Sequence, residues 1–308
     1  MKHAFIFRLA FILFLAAAGA VEAQEKEALT ARAQTVSGDK NAESNLAEAT
    51  KFNLQGVAHI KTQSYRKALE SFQKAGELLP ASPEILANIG AAFFYLGQFD
   101  AARESFERAL RLNPQSAVAV GGLGEIAFHQ RQNEESAAFF ERALTLAPDS
   151  AYYMSKLGTS YYRLGRLAEA EKMLIKSLNL EPNSAETVNN LGVVYFHAGD
   201  QKKAGEFFVK STVIDPNYAP AHNNAGVVFS WRKKYKKAAA AYAEAVRLRP
   251  GWGVAVFNLG MTYVSLGQKP SALETQKVLS RIDTNLAKKL YLSIYSDKVL
   301  DVSPVLIG

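Results

Sequence analysis

The sequence predicts an all-α fold, an α-solenoid of seven helix-turn-helix repeats closed by a C-terminal capping helix. Seven glycines lie 34 residues apart, from Gly56 to Gly260. Six prolines keep the same spacing, from Pro80 to Pro250, and no insertion or deletion interrupts either series. A fixed period of this length is typical of solenoids, in which each repeat buries its apolar face against its neighbours.

The first 23 residues have the parts of a signal peptide. A basic start is followed by twelve apolar residues, Leu9 to Ala20, and then by Val21-Glu22-Ala23, with small residues where a signal peptidase reads them. Twelve apolar residues are short for a membrane span, which needs about 20. We therefore expect cleavage before Gln24, an exported protein (periplasmic or secreted) and no transmembrane span after cleavage. An uncleaved membrane anchor is the alternative.

Residues 24–48 are polar and are interpreted as a mobile linker, with a loose helix as the alternative. The repeats then occupy residues 49–283. Their predicted bounds are 49–82, 83–116, 117–150, 151–184, 185–218, 219–252 and 253–283.

Each repeat is expected to form two antiparallel helices. The recurrent glycine falls in the first helix, where it costs up to about 1 kcal/mol against alanine, so its recurrence needs a packing reason. A large side chain on the second helix, such as Phe106 or Phe208, supplies that reason. The recurrent proline ends the second helix, and a serine such as Ser82, followed by Pro83, caps the next one.

Residues 284–308 are predicted to form the capping helix and an apolar tail. Leu286, Leu290 and Ile294 recur every four residues, as on the buried face of a helix. The tail after them is either folded back on the last helices or offered to a partner as a strand.

The repeat closely resembles the tetratricopeptide repeat, and the resemblance covers about residues 49–283. Repeat two carries the signature best, in Ile89-Gly90, Phe93, Ala102, Phe106, Ala109 and Pro114. The resemblance implies a right-handed solenoid that binds proteins or peptides, with the first helices lining a concave groove.

Asparagines and aromatic residues occupy the groove positions that this resemblance implies. A carboxamide can donate to and accept from a peptide backbone, and aromatic rings add contact area. The asparagines are similar to those in the superhelical domain of O-linked N-acetylglucosamine transferases, although Leu54, Gly122 and Lys156 interrupt the series. Asparagines that meet only water, and aromatics packed between repeats, are the alternatives. The predicted groove residues are Asn88, Tyr95, Tyr162, Asn189, Asn190, Phe196, Asn223, Asn224, Trp231 and Asn258.

A second candidate surface is a basic edge around the turn of repeat six. It could dock on an anionic envelope surface or polymer, and a solvated outer face is its alternative. Nucleic acid is not expected as the partner of an exported protein. The basic edge comprises Arg232, Lys233, Lys234, Lys236 and Lys237.

Composition and motifs argue against other classes. With 48% apolar and 21% charged residues the chain is globular, and it contains no cysteine for a disulfide or a thiolate metal site. Phosphate-binding loops, nucleophile elbows and zincin motifs are missing from the sequence, and the basic residues of a carboxylate clamp are not at their positions. We therefore expect no catalytic residues, cofactor or metal. The sequence predicts an exported, non-catalytic scaffold that binds a protein or extended peptide in its groove.

Overall fold

The computed structural model of the chain describes residues 40–295, which form fifteen α-helices and, within that range, no strands. The helices fall into two compact units, one ending at Gly165 and the other beginning at Arg166. Within the described residues, no helix is both long and apolar enough to cross a membrane.

The first unit contains α1 to α7. They are α1 Lys40–Lys61, α2 Tyr65–Leu78, α3 Pro83–Tyr95, α4 Phe99–Leu112, α5 Ala117–His129, α6 Asn133–Leu146 and α7 Ala151–Arg163.

The second unit contains α8 to α15. They are α8 Leu167–Leu180, α9 Ala185–His197, α10 Gln201–Ile214, α11 Ala219–Trp231, α12 Tyr235–Leu248, α13 Gly253–Ser265, α14 Lys269–Ser280 and α15 Thr284–Tyr295.

Within each unit the helices pack in chain order, each one against the next. Pairs of 13-residue and 14-residue helices recur with the 34-residue period, which confirms the predicted all-α repeat fold. The last helix, α15, packs on both α13 and α14, where Leu290 is fully buried and Leu286 and Ile294 are partly buried. The predicted capping helix is therefore present.

Close contact between the two helices of a hairpin explains the recurrent glycine. A Cβ atom added to Gly90 would lie 2.9 Å from the ring of Phe106, and one added to Gly192 would lie 2.7 Å from the ring of Phe208. Both rings are at most 1% exposed, so they have little room to move. The packing reason predicted for this glycine is confirmed.

The helix ends follow the predicted capping chemistry. Ser82, Ser116, Ser150 and Ser184 each accept a hydrogen bond, through the side-chain oxygen, from the backbone N–H three residues later. The second helices end two residues before the recurrent proline, as α2 does at Leu78.

The first helix begins earlier than expected. Since α1 starts at Lys40, the prediction of a mobile linker is wrong for residues 40–48. One side of α1 carries the less exposed residues of this segment, Ala42, Leu46 and Ala49, and Ala49 is fully buried. Apolar packing along this side stabilises the start of the helix. The predicted signal peptide, the remainder of the linker and the apolar tail lie outside the described residues.

Candidate binding face on the first helices

The predicted groove residues all lie on the first helices of the hairpins. We call this surface of each unit its first-helix face: in the first unit it belongs to α1, α3, α5 and α7, and in the second unit to α9, α11 and α13. First helices of neighbouring hairpins contact each other: α3 contacts α5, and α9 contacts α11. Residues on this face therefore reach from one repeat to the next.

In the second unit, asparagines join successive repeats. The Asn224 amide donates from Nδ2 to Asn189 Oδ1 at 3.0 Å, and Asn258 Nδ2 donates to Asn223 Oδ1 at 3.0 Å. Both bonds join residues 35 apart, so the fifth position of one repeat accepts from the sixth position of the next. Each bond thus fixes the register between two first helices.

Bonds within a repeat connect these contacts. Asn189 Nδ2 donates to Asn190 Oδ1 at 3.4 Å, and Asn223 Nδ2 donates to Asn224 Oδ1 at 3.2 Å. We call the resulting network the asparagine ladder. Its members are Asn189, Asn190, Asn223, Asn224 and Asn258.

The asparagine ladder is buried, which corrects the sequence-based expectation of open amides lining a groove. Its five residues are between 0% and 8% exposed. A buried carboxamide is costly without a hydrogen-bond partner, and the bonds between and within repeats supply partners here. The spacing of 35 residues was visible in the sequence and could have indicated these bonds.

One similar bond exists in the first unit. Asn88 Nδ2 donates to Asn53 Oδ1 at 2.9 Å, again across 35 residues, and Asn88 is half-buried. The series does not extend from there because Gly122 and Lys156 occupy the sixth position of the next two repeats.

A buried ion pair takes the place of asparagine in α5 and α7. Lys156 Nζ lies 3.5 Å from Glu125 Oε1, and the Tyr152 hydroxyl donates to the same oxygen at 2.5 Å. All three residues are buried, so the hydroxyl bond helps to offset the cost of removing two charges from water. Burial also raises the pKa of the Tyr153 phenol, and the negative charge of Glu125 adds to that shift.

Sequence reasoning overlooked Glu125. Its signal was an acidic residue at the ninth position of one repeat and a lysine at the sixth position of the next. The pair ties α5 to α7 as the asparagine ladder ties α9 to α11.

The predicted aromatic residues are less buried than the asparagines. Tyr95, Tyr162 and Phe196 are half-buried, and Trp231 is 57% exposed. Tyr95 stacks on Tyr65 with 4.7 Å between ring centroids, and burial raises the pKa of its phenol. All four aromatics lie in the last two positions of a first helix. In each unit they offer apolar area at the C-terminal ends of the first helices.

The five basic-edge residues are all exposed; three form the turn between α11 and α12, and Lys236 and Lys237 lie in the first turn of α12. Arg232 Nη2 donates to the backbone oxygen of Gln201 at 3.1 Å, which places this turn beside the one between α9 and α10. Trp231 directly precedes Arg232, so the structure puts it next to the basic edge.

No metal centre is found on the described helices. Among residues 40–295, no group of three or more His, Cys, Asp or Glu side chains is arranged to hold a metal ion.

Comparison with known proteins finds the tetratricopeptide repeat. The model of this family matches residues 87–151 and 155–219. A solved structure of Pseudomonas aeruginosa PilF is 18% identical, with a TM-score of 0.59, and the match covers 68% of this chain and 95% of that chain. The structure of the APC/C hetero-tetramer Cut9-Hcn1 contains a chain 16% identical, with a TM-score of 0.69, matched over 85% of this chain and 58% of that chain. At these identities the likeness shows the fold.

Proposed function

We propose that this chain, which is a tetratricopeptide repeat protein, is an exported, non-catalytic scaffold that binds a protein or an extended peptide along a first-helix face. Proteins of this fold mediate contacts between proteins, which supports the proposal. The observation that carries the proposal is that each unit has accessible aromatics at the ends of its first helices, on α3 and α7 in the first unit and on α9 and α11 in the second. Aromatic side chains are the commonest anchors of protein interfaces because they bury a large area with few rotatable bonds.

The asparagine ladder has a supporting role in this proposal. Its bonds hold α9, α11 and α13 in register, which fixes the spacing of the aromatics that these helices carry. A rigid face loses less conformational entropy when it binds than a flexible one. The aromatics then contact the ligand, and the ladder positions them.

Peptides selected from a random phage-displayed library against the full-length protein test this proposal. Phe196→Ala should weaken the binding of peptides that contact the second unit, and Tyr162→Ala that of peptides that contact the first, each about tenfold or more, because truncating an aromatic anchor removes its buried area. The matched control is Tyr291→Ala, which removes an equally large side chain, 47% exposed, from the capping helix α15. Titration by isothermal calorimetry measures each affinity. The proposal would be contradicted if the selected peptides bound the Phe196→Ala and Tyr162→Ala proteins with wild-type affinity and bound the Tyr291→Ala protein more weakly.

A second candidate function is docking of the basic edge on an anionic surface. The exposure of all five cations favours it, because charges that stay in water can meet a partner of opposite sign. The two functions use different residues and are compatible in one protein.

A further inference from the structure

Positive charge is concentrated along the turns of the second unit. Three five-residue segments of this unit each cover the end of a turn and the start of the next helix: 199–203, 233–237 and 267–271. They contain a single acidic residue, Asp200, which pairs with Lys203 at 3.7 Å. The same three segments contain seven exposed lysines. These are Lys202, Lys203, Lys233, Lys234, Lys236, Lys237 and Lys269.

The turns of the first unit are balanced in charge. The equivalent segments, 63–67, 97–101 and 131–135, carry three basic and three acidic residues. These are Arg66, Lys67, Arg131, Asp100, Glu134 and Glu135. The charge of the second unit is therefore a property of these particular turns and not of the repeat.

The loops at the opposite ends of the second-unit helices are also balanced. Segments 181–184, 215–218, 249–252 and 281–283 hold two basic and three acidic residues. These are Arg249, Arg281, Glu181, Asp215 and Asp283. The positive charge thus lies along one edge of the unit, the edge that contains the bond from Arg232 to Gln201.

An exposed indole stands within this charged edge. Trp231 is the last residue of α11, and 57% of its surface is exposed. The chain's other tryptophan, Trp252, is half-buried with the Arg249 guanidinium 5.0 Å from its ring centroid. Tryptophan beside lysines and arginines is the combination found at membrane interfaces, where the ring sits at headgroup level and the cations meet anionic lipid.

We propose that this edge docks the protein on an anionic lipid bilayer, with the lysines at the headgroups and the Trp231 indole in the interface. The inference rests on the second candidate function and names its partner. It shares Trp231 with the aromatics of the proposed peptide site, while the lysines belong to the basic edge alone. Single-stranded nucleic acid is a poorer match, because its binding proteins offer successive aromatic rings for successive bases. Here the neighbouring Tyr235 is half-buried and Trp231 alone is largely exposed.

The first experiment measures binding of the full-length protein to vesicles of phosphatidylglycerol and phosphatidylcholine in equal parts, with pure phosphatidylcholine as the neutral reference. A basic residue near an anionic bilayer strengthens binding roughly fivefold. Replacing Lys233, Lys234, Lys236 and Lys237 with Gln should therefore weaken binding by about a hundredfold or more. The matched control replaces four exposed lysines of the second helices, which removes the same charge and should leave most of the binding intact. The control residues are Lys172, Lys176, Lys210 and Lys277.

The second experiment reports the position of the indole. In a Trp252→Phe background, Trp231 is the sole tryptophan, because the chain has two. Adding the anionic vesicles should shift its emission to shorter wavelength, and brominated lipid should quench it. Heparin, a soluble polyanion, should cause neither change.

The outcomes separate the lipid inference from the function on which it rests. The inference is supported if the four-lysine variant loses vesicle binding, the control variant keeps it, and brominated lipid quenches the emission of Trp231. Charge-dependent binding to both heparin and vesicles without quenching overturns the bilayer as the partner and leaves the basic edge as an anion-binding surface. Charge-dependent binding to heparin with no preference for anionic vesicles overturns the bilayer alone. Equal loss in the variant and its control, or charge-dependent binding to neither vesicles nor heparin, overturns both.

Discussion

At the residue scale, the packing of five of the hairpins depends on the absence of a side chain. The glycine at the eighth position lets the ring of the second helix lie against the backbone of the first, as Phe208 lies against Gly192. The sequence predicted this contact because both residues recur with the same period, and recurrence at a costly position indicates a constraint. The contact is local to one hairpin, so it needed no knowledge of the neighbouring repeats.

Gly192→Ala tests the contact. A Cβ there would lie 2.7 Å from the Phe208 ring, so relief requires a shift in a well-packed core, which costs about 1–3 kcal/mol. The higher helix propensity of alanine offsets up to about 1 kcal/mol of this cost, so we expect the free energy of unfolding to fall by about 1 kcal/mol and by no more than about 2 kcal/mol. Urea denaturation followed by circular dichroism measures it.

Gly251→Ala is the matched control for this substitution. A Cβ at Gly251 would have no neighbour within 4 Å, so its effect should stay within about 0.5 kcal/mol. Equal stability of the two variants would show that the Gly192 contact is not a tight one.

At the scale of the helix, the sequence predicted the positions of the asparagine ladder but not its burial. The residues were identified, but their burial depends on how closely one hairpin approaches the next, which a pattern within one repeat does not report. Asn224 is fully buried and bonded to Asn189, although its position suggested an open amide. The same limit hid Glu125, whose partner Lys156 belongs to the following repeat.

A double-mutant cycle on Asn223 and Asn258 tests the ladder. Removing either amide leaves a buried polar partner behind, so each alanine variant should lose about 1–3 kcal/mol of unfolding free energy. The double variant should lose less than the sum, with a coupling of about 0.5–1.5 kcal/mol. Urea denaturation of the four proteins provides the cycle. Asn179→Ala, at an exposed position of α8, is the control and should be neutral or slightly stabilising. Strict additivity of the two ladder variants would argue against the bond.

At the scale of the whole molecule, the repeat period predicted the fold, because the spacing of glycine and proline fixes the number and length of the helices. The period did not predict where the first helix begins, since Ala42 and Leu46 precede the first repeat. The surfaces proposed to bind partners, such as the lysines around Trp231, do not recur with the repeat period. Their charge is visible in the sequence, and their exposure is visible only in the structure.

The predicted export signal lies in residues outside the described range. Val21-Glu22-Ala23 follows twelve apolar residues, and a signal peptidase requires small residues three and one places before its cut. The exported protein should therefore begin at Gln24, as N-terminal sequencing or intact mass would show. Ala23→Arg should block cleavage by placing a large charged residue next to the cut, while Glu22→Ala, at the tolerant position between the two small residues, should be processed normally. Wild-type protein that still begins at Met1 would favour the membrane anchor instead, because the apolar segment would then have stayed attached.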